Sequence, residues 1–481
     1  MVKFDRLMFM SMKKIVFVFC AILFASVSFS QSVSQNLQKA WQQFESDSQL
    51  KHAISSLYVI DAKTGQVVFD KNSQIGLAPA STQKIITAAT AFELLGKDYR
   101  YETKVGFKGT IKKDTLFGDL LLRGVSDPTF GSWRYKVTNR EKCLNEIVKI
   151  IKESSIKVIT GDIFIDESGF DTQTTPDGWI WQDMGNYYGA GSSALSWNEN
   201  QYDLFLKSGT KTGDPVTIVR TVPELDIYAM LNEIKSGPKG SGDNAYIYLA
   251  PYTVNGSLKG TIPIDETSFK ISGSFAYPAG QFYKELNATL KIAEIDLIGK
   301  LNTTLYLIAN GSSTNIEFKP LGSLSSPSLD SISYWFLKKS INLYGEALLK
   351  TFAYEKNGFG STDDGVKIVT DFWKQKGIDE DELNISDGSG LSPQNRTTTH
   401  AQVEILKYAK GKDWYPYYLN GFPDYNGMKM KSGTIRDVKG FAGYHKAKDG
   451  KEYIFSFLVN NYNGRTSSVV SKMYKVLDEL K

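Results

Sequence analysis

The stretch LAPASTQKIITAATAFELLG (Leu77–Gly96) places Ser81 and Lys84 three residues apart at the start of an apolar segment. Apolar residues recur at helical spacing from Ile85 onward, and Gly96 is a natural helix end. Side chains three residues apart lie on one face of a helix, so the serine and the lysine are predicted to meet in its first turn. Backbone N–H groups at a helix N-terminus have no intrahelical partner, and they favour a negative charge that develops there.

These two residue types suit nucleophilic catalysis. A serine hydroxyl is a poor nucleophile until a base removes its proton. The chain has only three histidines, which gives a histidine base little support, whereas a lysine desolvated among apolar neighbours has a lowered pKa and can act as the base. We therefore take Ser81 as the candidate nucleophile and Lys84 as its base. The same S-x-x-K spacing begins in polar or weakly amphipathic segments, or in the N-terminal apolar segment, at Ser11, Ser48, Ser154, Ser208 and Ser236.

A second serine is needed to pass the proton on to a leaving amine. The candidate is Ser340, followed two residues later by Asn342, in the break between predicted helices over 328–339 and 343–351. Side chains in such a break project from a loop into a cleft. Ser196 and Asn198 form a rival S-x-N triplet among aromatic residues, and we interpret that triplet as a packed aromatic turn.

The third element is Lys431-Ser432-Gly433-Thr434, on the first of three predicted strands over 429–434, 438–446 and 452–460. A small residue and a glycine let a substrate backbone lie along such a strand. Lys431 and Thr434 are suited to hold a carboxylate, and the Thr434 N–H would be a second donor to an oxyanion. Similar triplets in segments better explained as solvated turns begin at Lys63, Lys207, Lys211 and Lys235.

In this chain order, the three motifs resemble those of the penicillin-recognising serine enzymes. The sequence is identified as a member of the D-alanyl-D-alanine carboxypeptidase/endopeptidase family, the type-4, class C low-molecular-mass penicillin-binding proteins. Further stretches are similar to segments of this family, namely Thr160–Asp162, Tyr187–Ala190 and Asp387–Ser392. The long insertion between the first and second motifs is also characteristic of it.

The resemblance implies an α/β (α+β) fold with a β-lactamase/transpeptidase-like domain, in which helices flank an antiparallel sheet. Residues 31–98 and 300–481 would form this discontinuous catalytic domain. Residues 99–299 would form one or two inserted accessory domains of mainly β character.

The resemblance also implies a role for each motif residue. Ser81 would be acylated with Lys84 as its base, and Ser340 would relay the proton. Asn342 would contact the substrate backbone, while Lys431 would polarise the site and assist carboxylate binding. Ser432, Gly433 and Thr434 would bind substrate. The sequence departs from the family pattern at Ile341, Gly345 and Ser432, where Asp, Ala and Thr are more usual, and we expect altered packing or substrate preference rather than lost chemistry.

The implied activity is that of a serine D-alanyl-D-alanine carboxypeptidase/endopeptidase. Its partners would be peptidoglycan stem peptides ending in D-Ala-D-Ala, and β-lactams would inhibit it by acylating Ser81. Two alternatives stay open: a serine β-lactamase on the same scaffold, and a non-catalytic peptidoglycan-binding module. The residues do not decide between carboxypeptidase and endopeptidase action.

Composition narrows the function classes further. The 481 residues are 41% hydrophobic and 22% charged, which is typical of a globular protein and excludes a disordered chain. The formal net charge is +4, and the basic excess lies mostly in the first 30 residues, so the remainder has no electrostatic footprint for nucleic acid. With three His and two Cys, a Cys/His metal cage is nearly impossible to build, and we predict neither a metal nor a cofactor.

The N-terminus predicts the compartment. Lys13 and Lys14 precede an apolar run from Ile15 to Ser30, which is the pattern of a secretory signal peptide over residues 1–30. The run is shorter than the roughly 20 residues that a bilayer span needs, so a retained anchor is the weaker alternative. We expect an exported protein of the periplasm or cell envelope.

Overall fold

The structure is a computed structural model that describes residues 33–225 and 230–481, so the predicted signal peptide lies outside the described residues. Its helices are joined by strands and by short 3-10 turns. They are α1 (33–45), α2 (Lys84–Leu94), α3 (Arg140–Glu153), α4 (Trp181–Met184), α5 (Pro278–Ile292), α6 (Thr304–Ala309), α7 (Leu329–Lys339), α8 (Asn342–Asn357), α9 (Thr362–Gln375), α10 (Thr399–Lys410), α11 (Tyr415–Asn420) and α12 (Thr466–Leu477).

The strands fall into a group near the two ends of the described chain and a group between them. The end strands are β1 (Ile54–Asp61), β2 (Val67–Lys71), β17 (Leu383–Asn384), β18 (Arg396–Thr397), β19 (Asp424–Tyr425), β20 (Met428–Ile435), β21 (Val438–Lys446) and β22 (Glu452–Asn460). The middle strands are β3 (Glu102–Lys112), β4 (Thr115–Arg123), β5 (Val158–Ile159), β6 (Ile163–Asp166), β7 (Gln201–Lys207), β8 (Thr217–Val222), β9 (Met230–Asn232), β10 (Lys235–Gly237), β11 (Asn244–Tyr248), β12 (Gly256–Pro263), β13 (Phe269–Ser274), β14 (Asp296–Leu297), β15 (Leu301–Thr303) and β16 (Lys319–Ser325).

A six-stranded antiparallel sheet, in the order β19-β20-β21-β22-β1-β2, joins the two ends of the chain. β1 pairs with β22 along its whole length, from Ile54 opposite Asn460 to Asp61 opposite Tyr453. Both β21 and β22 are buried on alternate and intervening positions alike, because helices cover both faces of the sheet. One core contains residues of α1 and α12, and the other contains residues of α2, α7, α8 and α10. The predicted α/β class, with helices flanking an antiparallel sheet, is confirmed.

The middle strands enclose a separate core. β3 and β4 form a long hairpin in a seven-stranded sheet with β5, β6, β14, β15 and β16, and α3 and α5 contribute apolar residues to the same core. Two smaller sheets, β13-β7-β8 and β9 to β12, complete this inserted region. Its strands agree with the mainly β character expected of the insertion.

The strand pairing indicates that the inserted region ends later than residue 300, which was the expected second boundary. β15 pairs with β6, and β16 pairs with β3 from Lys319 opposite Phe107 to Ser325 opposite Glu102. Both strands therefore share the inserted sheet although they follow residue 300. The division of the chain into domains stays a prediction, with the second boundary better placed after Ser325. No helix among residues 33–225 and 230–481 has the length and hydropathy needed to cross a membrane.

Candidate active site

Ser81 lies in a 3-10 turn, Ala80–Gln83, and the α-helix starts only at Lys84. The sequence predicted that both residues lie in the first turn of one α-helix, and this detail is wrong. Ala80 has a left-handed φ of 46° between Pro79 and Ser81, which is incompatible with a regular helix starting there. The two side chains nevertheless meet, with Lys84 Nζ 3.0 Å from Ser81 Oγ.

The Lys84 ammonium group is completely buried, and this burial lowers its pKa to about 7 although Asp387 and Glu346 oppose the shift. Its other two contacts are the Asn342 Oδ1 and the Ser389 carbonyl oxygen, each at 2.6 Å. A neutral amine has two N–H donors and one lone pair. Because two carbonyl oxygens take the donors, the lone pair is left for the Ser81 hydroxyl proton, which is the arrangement a general base requires.

Ser340 and Asn342 occupy the corner between α7 and α8. Ser340 has φ 57° and ψ 42°, a left-handed conformation that ends α7 and turns the chain so that α8 starts at Asn342. The Ser340 Oγ lies 2.8 Å from the Lys431 Nζ, and the Asn342 Nδ2 donates to the Tyr188 carbonyl oxygen at 2.7 Å. The corner thus brings the second motif between the first and the third.

Lys431 and Thr434 lie on β20, whose outer edge is largely open. The short strand β19 pairs with Met428 and Lys429, and the Met430 N–H donates to the Pro423 carbonyl oxygen. Among the described residues, no strand pairs with residues 431–435 on that side. An open edge can accept an extended peptide as an added strand. Burial and the neighbouring Lys84 and Lys439 lower the pKa of Lys431 well below its usual range.

Gly433 packs closely against the turn that contains Ser81, which the sequence did not predict. A Cβ there would lie 2.5 Å from the Pro79 carbonyl oxygen and 2.9 Å from the Ser81 nitrogen. The absence of a side chain at Gly433 therefore lets the turn that contains Ser81 pack directly against β20. This contact fixes the distance between the first motif and the third.

Asp387 organises the loop that contacts Lys84. Its carboxylate is fully buried and accepts hydrogen bonds from the backbone N–H groups of Gly390 and Ser392, both at 2.7 Å. It also accepts hydrogen bonds from the side chains of Asn395 and Trp179, both at 2.9 Å. The loop is thereby held with its Ser389 carbonyl against the lysine. The sequence showed Asp387–Ser392 only as a stretch similar to a segment of the family, because its contact with Lys84 depends on tertiary placement.

Glu346 is a second buried carboxyl group close to Lys84, and the sequence analysis did not single it out. It lies in α8, and burial together with Asp387 raises its pKa to about 8. Its Oε2 accepts a hydrogen bond from the Gly388 N–H at 2.9 Å. With this pKa the carboxyl group is mostly protonated at neutral pH, so it opposes the lowering of the Lys84 pKa only weakly.

The inserted region forms one wall of the site. A cavity of about 640 Å³ contains Ser81, Ser340, Asn342 and Thr434, and its other lining residues include Arg134, Asp183, Tyr187, Tyr188 and Tyr246. Ile341, one of the departures from the family pattern, is buried and also lines this cavity.

The rival triplet lies elsewhere. Trp197 is fully buried and packs against the rings of Phe130 and Phe282, while the Ser196 Oγ contacts Asn200. Its interpretation as a packed aromatic turn agrees with this packing. Neither Ser196 nor Asn198 lines the cavity that contains Ser81.

Ser81 lies in a turn packed against an antiparallel sheet with the buried Lys84 beside it, and this arrangement agrees with the class that the sequence resembles, the penicillin-recognising serine enzymes. The chain belongs to the D-Ala-D-Ala carboxypeptidase 3 (S13) family, whose model matches residues 34–424. This match confirms the predicted family and the predicted activity, a serine-type D-Ala-D-Ala carboxypeptidase.

Individual relatives agree with the family assignment. A D-alanyl-D-alanine carboxypeptidase of Actinomadura sp. (strain R39) is 26% identical over 87% of this chain and 80% of its own length. The D-alanyl-D-alanine carboxypeptidase DacB of Haemophilus influenzae is 22% identical over 83% of each chain. The crystal structure of penicillin binding protein 4 (dacB) from Haemophilus influenzae has the same fold, with a TM-score of 0.76 at 19% identity over 89% of this chain and 96% of that one.

Proposed function

We propose that Ser81 is the acylated nucleophile and Lys84 its general base. The observation that supports this most directly is the 3.0 Å contact between Lys84 Nζ and Ser81 Oγ, made by a lysine whose pKa is lowered to about 7. Ser81 Oγ attacks the carbonyl carbon of the penultimate D-alanine of a stem peptide, and its proton passes to Lys84. The backbone N–H groups of Ser81 and Thr434 stabilise the oxyanion that forms.

Collapse of the tetrahedral intermediate breaks the C–N bond. The departing amine of the terminal D-alanine takes up the proton through Ser340, whose Oγ contacts Lys431 Nζ. Water then attacks the ester, again with Lys84 as the base, and regenerates the Ser81 hydroxyl. One water is consumed and one D-alanine is released in each cycle.

The substrate is a peptidoglycan stem peptide that lies along the open edge of β20. Ser432, Gly433 and Thr434 contact its backbone and carboxylate there, and Asn342 contacts the backbone from the opposite side. The cavity of about 640 Å³, with the inserted region as one wall, suits a polymeric substrate better than a compact drug. Cross-linked stems fit the same edge, and endopeptidase action is part of the proposal.

β-Lactams would acylate the same serine, because their strained amide presents a carbonyl carbon in the place of the D-Ala-D-Ala bond. A structure of penicillin binding protein 4 (dacB) from Haemophilus influenzae complexed with a β-lactam has the fold of this chain, with a TM-score of 0.72 at 18% identity over 92% of this chain and 99% of that one. Residues 1–30 would direct export, and the protein would act in the periplasm or cell envelope.

The test is the intact mass of the purified protein after incubation with benzylpenicillin, followed by peptide mapping. We expect a stable adduct on Ser81 and no adduct on Ser81→Ala, with D-alanine released from muropeptides by the wild type only. An adduct that vanishes rapidly with hydrolysed drug would identify a β-lactamase. No adduct and no D-alanine release from the folded wild type would contradict catalysis and favour a binding module.

A further inference from the structure

Behind the third motif lies a lysine that the motifs do not include. Lys439, on β21, stands directly opposite Thr434 of β20 in the strand register. Its Nζ lies 2.8 Å from the Thr434 Oγ1 and 3.2 Å from the Ser432 Oγ. The side chain is only 7% exposed, and its Nζ sits 4.7 Å from the centre of the Phe441 ring, so the ammonium group has one well-defined position.

These contacts fix the direction of two hydroxyl protons. An ammonium group can only donate, so the oxygens of Ser432 and Thr434 act as acceptors toward Lys439. Each hydroxyl then has its own proton left to donate elsewhere. Thr434 is exposed and lines the cavity that contains Ser81. Two O–H donors with a positive charge behind them match the two oxygens of a carboxylate.

The charges around Lys439, Ser432 and Thr434 also favour a carboxylate as the ligand. Within the part of the chain that the structure describes, the polar contacts of Lys431 and Lys439 are hydroxyl and carbonyl oxygens and include no carboxylate. A buried cation such as protonated Lys439 is costly without an anionic partner, and an incoming anion compensates that cost. Burial lowers the pKa of Lys439 to about 8, which leaves the group mostly protonated at neutral pH.

We propose that Lys439 is a positioning residue for substrate recognition: it orients the Ser432 and Thr434 hydroxyls and supplies positive charge toward the free carboxylate of the residue that leaves. This inference rests on the proposed function, because it assumes that the stem peptide lies along β20. Its new element is Lys439, which sets the direction of the two hydroxyls that bind the carboxylate of the leaving residue.

The experiment compares two substrates that differ only at the C-terminus. Nα,Nε-diacetyl-L-lysyl-D-alanyl-D-alanine is the acid, and its C-terminal carboxamide is the neutral analogue. Release of the last residue is measured as kcat and KM for the wild type, Lys439→Met and Lys439→Arg. Lys446→Met, at an exposed position of the same strand, is the matched control.

We expect Lys439→Met to lower kcat/KM for the acid by about 10- to 100-fold, the usual effect of losing a hydrogen-bond network to a charged group. The effect should lie mainly in KM, and kcat/KM for the carboxamide should change by less than about threefold. Lys439→Arg should recover most of the activity on the acid, because it keeps the charge and the donors. Lys446→Met should behave as the wild type on both substrates.

Equal losses on the acid and the carboxamide would mean a merely structural role and would overturn the proposal. If Lys439→Met does not fold, Lys439→Gln, which also lacks the positive charge, is compared on the same two substrates, and an equal loss on both contradicts the proposal. Failure of the proposed function is recognised separately: the wild type would then release nothing from either substrate and would form no adduct with benzylpenicillin.

Discussion

Two helices of this protein each contain a completely buried lysine, and only one of the two lysines contacts a carboxylate. Lys84 on α2 contacts a hydroxyl and two carbonyl oxygens. Lys350 on α8 contacts the Asp171 carboxylate and the Gln173 carbonyl oxygen, each at 2.5 Å. Burial lowers the pKa of both lysines, and Asp171 opposes that shift at Lys350 by direct contact.

The comparison shows that burial alone does not make a lysine a base. Lys350 has a counter-ion from the inserted region, so it joins α8 to that region as a structural ion pair. Lys84 has its nearest carboxyl groups, Asp387 and Glu346, outside direct contact, and its free lone pair faces a serine. A buried lysine in contact with a carboxylate forms an ion pair, whereas a buried lysine in contact only with neutral oxygens can act as a general base.

The largest effect on the acylation rate is expected from replacing Lys84, with the same replacement of Lys350 as the comparison. Lys84→Met should slow acylation by benzylpenicillin about 10²- to 10⁴-fold, because the serine loses its general base. Lys350→Met should leave the acylation rate per folded molecule within about threefold of the wild type, since Lys350 contacts Asp171 and Gln173 and makes no hydrogen bond to Ser81 or Lys84. Stopped-flow or quenched-flow mass measurements give both rates. A Lys350→Met protein of normal stability that is acylated slowly would contradict this distinction between the two lysines.

A second variant sharpens the comparison because it displaces the Ser81 turn and leaves the Lys84 side chain unchanged. Gly433→Ala should slow acylation about 10²-fold, because its Cβ pushes the Ser81 turn away from β20 while Lys84 stays in place. Gly411→Ala is the control, since a Cβ there would meet only the Tyr408 carbonyl oxygen at 3.5 Å. The same acylation assay applies to both variants. A Gly433→Ala protein that acylates at the wild-type rate would show that the close packing is unnecessary.

Lys350→Met, which should leave the acylation rate unchanged, should reduce the stability of the protein. Lys350→Met should lower the free energy of unfolding by about 2–4 kcal/mol, because it leaves the mostly buried Asp171 carboxylate without its cation. Urea denaturation followed by circular dichroism measures this loss, with Lys367→Met on the exposed face of α9 as the control. An unfolding free energy within about 0.5 kcal/mol of the wild type would mean that the ion pair is not structural.

The smallest effect is expected at Glu346. Its pKa of about 8 keeps it protonated at pH 7, so Glu346→Gln replaces one neutral group by another of similar shape. The amide oxygen can still accept the hydrogen bond from the Gly388 N–H. We expect the acylation rate at pH 7 to change by less than about threefold. A loss of more than about tenfold would mean that an ionised Glu346 supports Lys84.

The motifs were predictable from sequence because each is short and its chemistry is local. The three C-terminal strands were also predictable, and β21 and β22 have the predicted bounds. The contacts that tune Lys84 were not predictable. The Ser389 carbonyl reaches the lysine only because Asp387 binds donors from distant parts of the chain, including Trp179 of the inserted region.

Long-range pairing also explains the uncertain domain boundary. β16 returns to β3 across the whole inserted region, and nothing in the local pattern of residues 319–325 indicates that partner. Lys439 was overlooked for a similar reason. Its alternation on β21 predicts an ordinary strand residue, and only the register with β20 places it opposite Thr434.

The central claim is that Lys84 is neutral enough near pH 7 to act as the base for Ser81. The most direct test is the pH dependence of the acylation rate with benzylpenicillin, measured on the wild type under conditions where the protein stays folded. Because the base must be unprotonated, the rate should rise about tenfold per unit below about pH 6 and level off above about pH 8, with an inflection near the Lys84 pKa of about 7. A rate independent of pH across this range, or an inflection near the ordinary lysine value, would contradict the account.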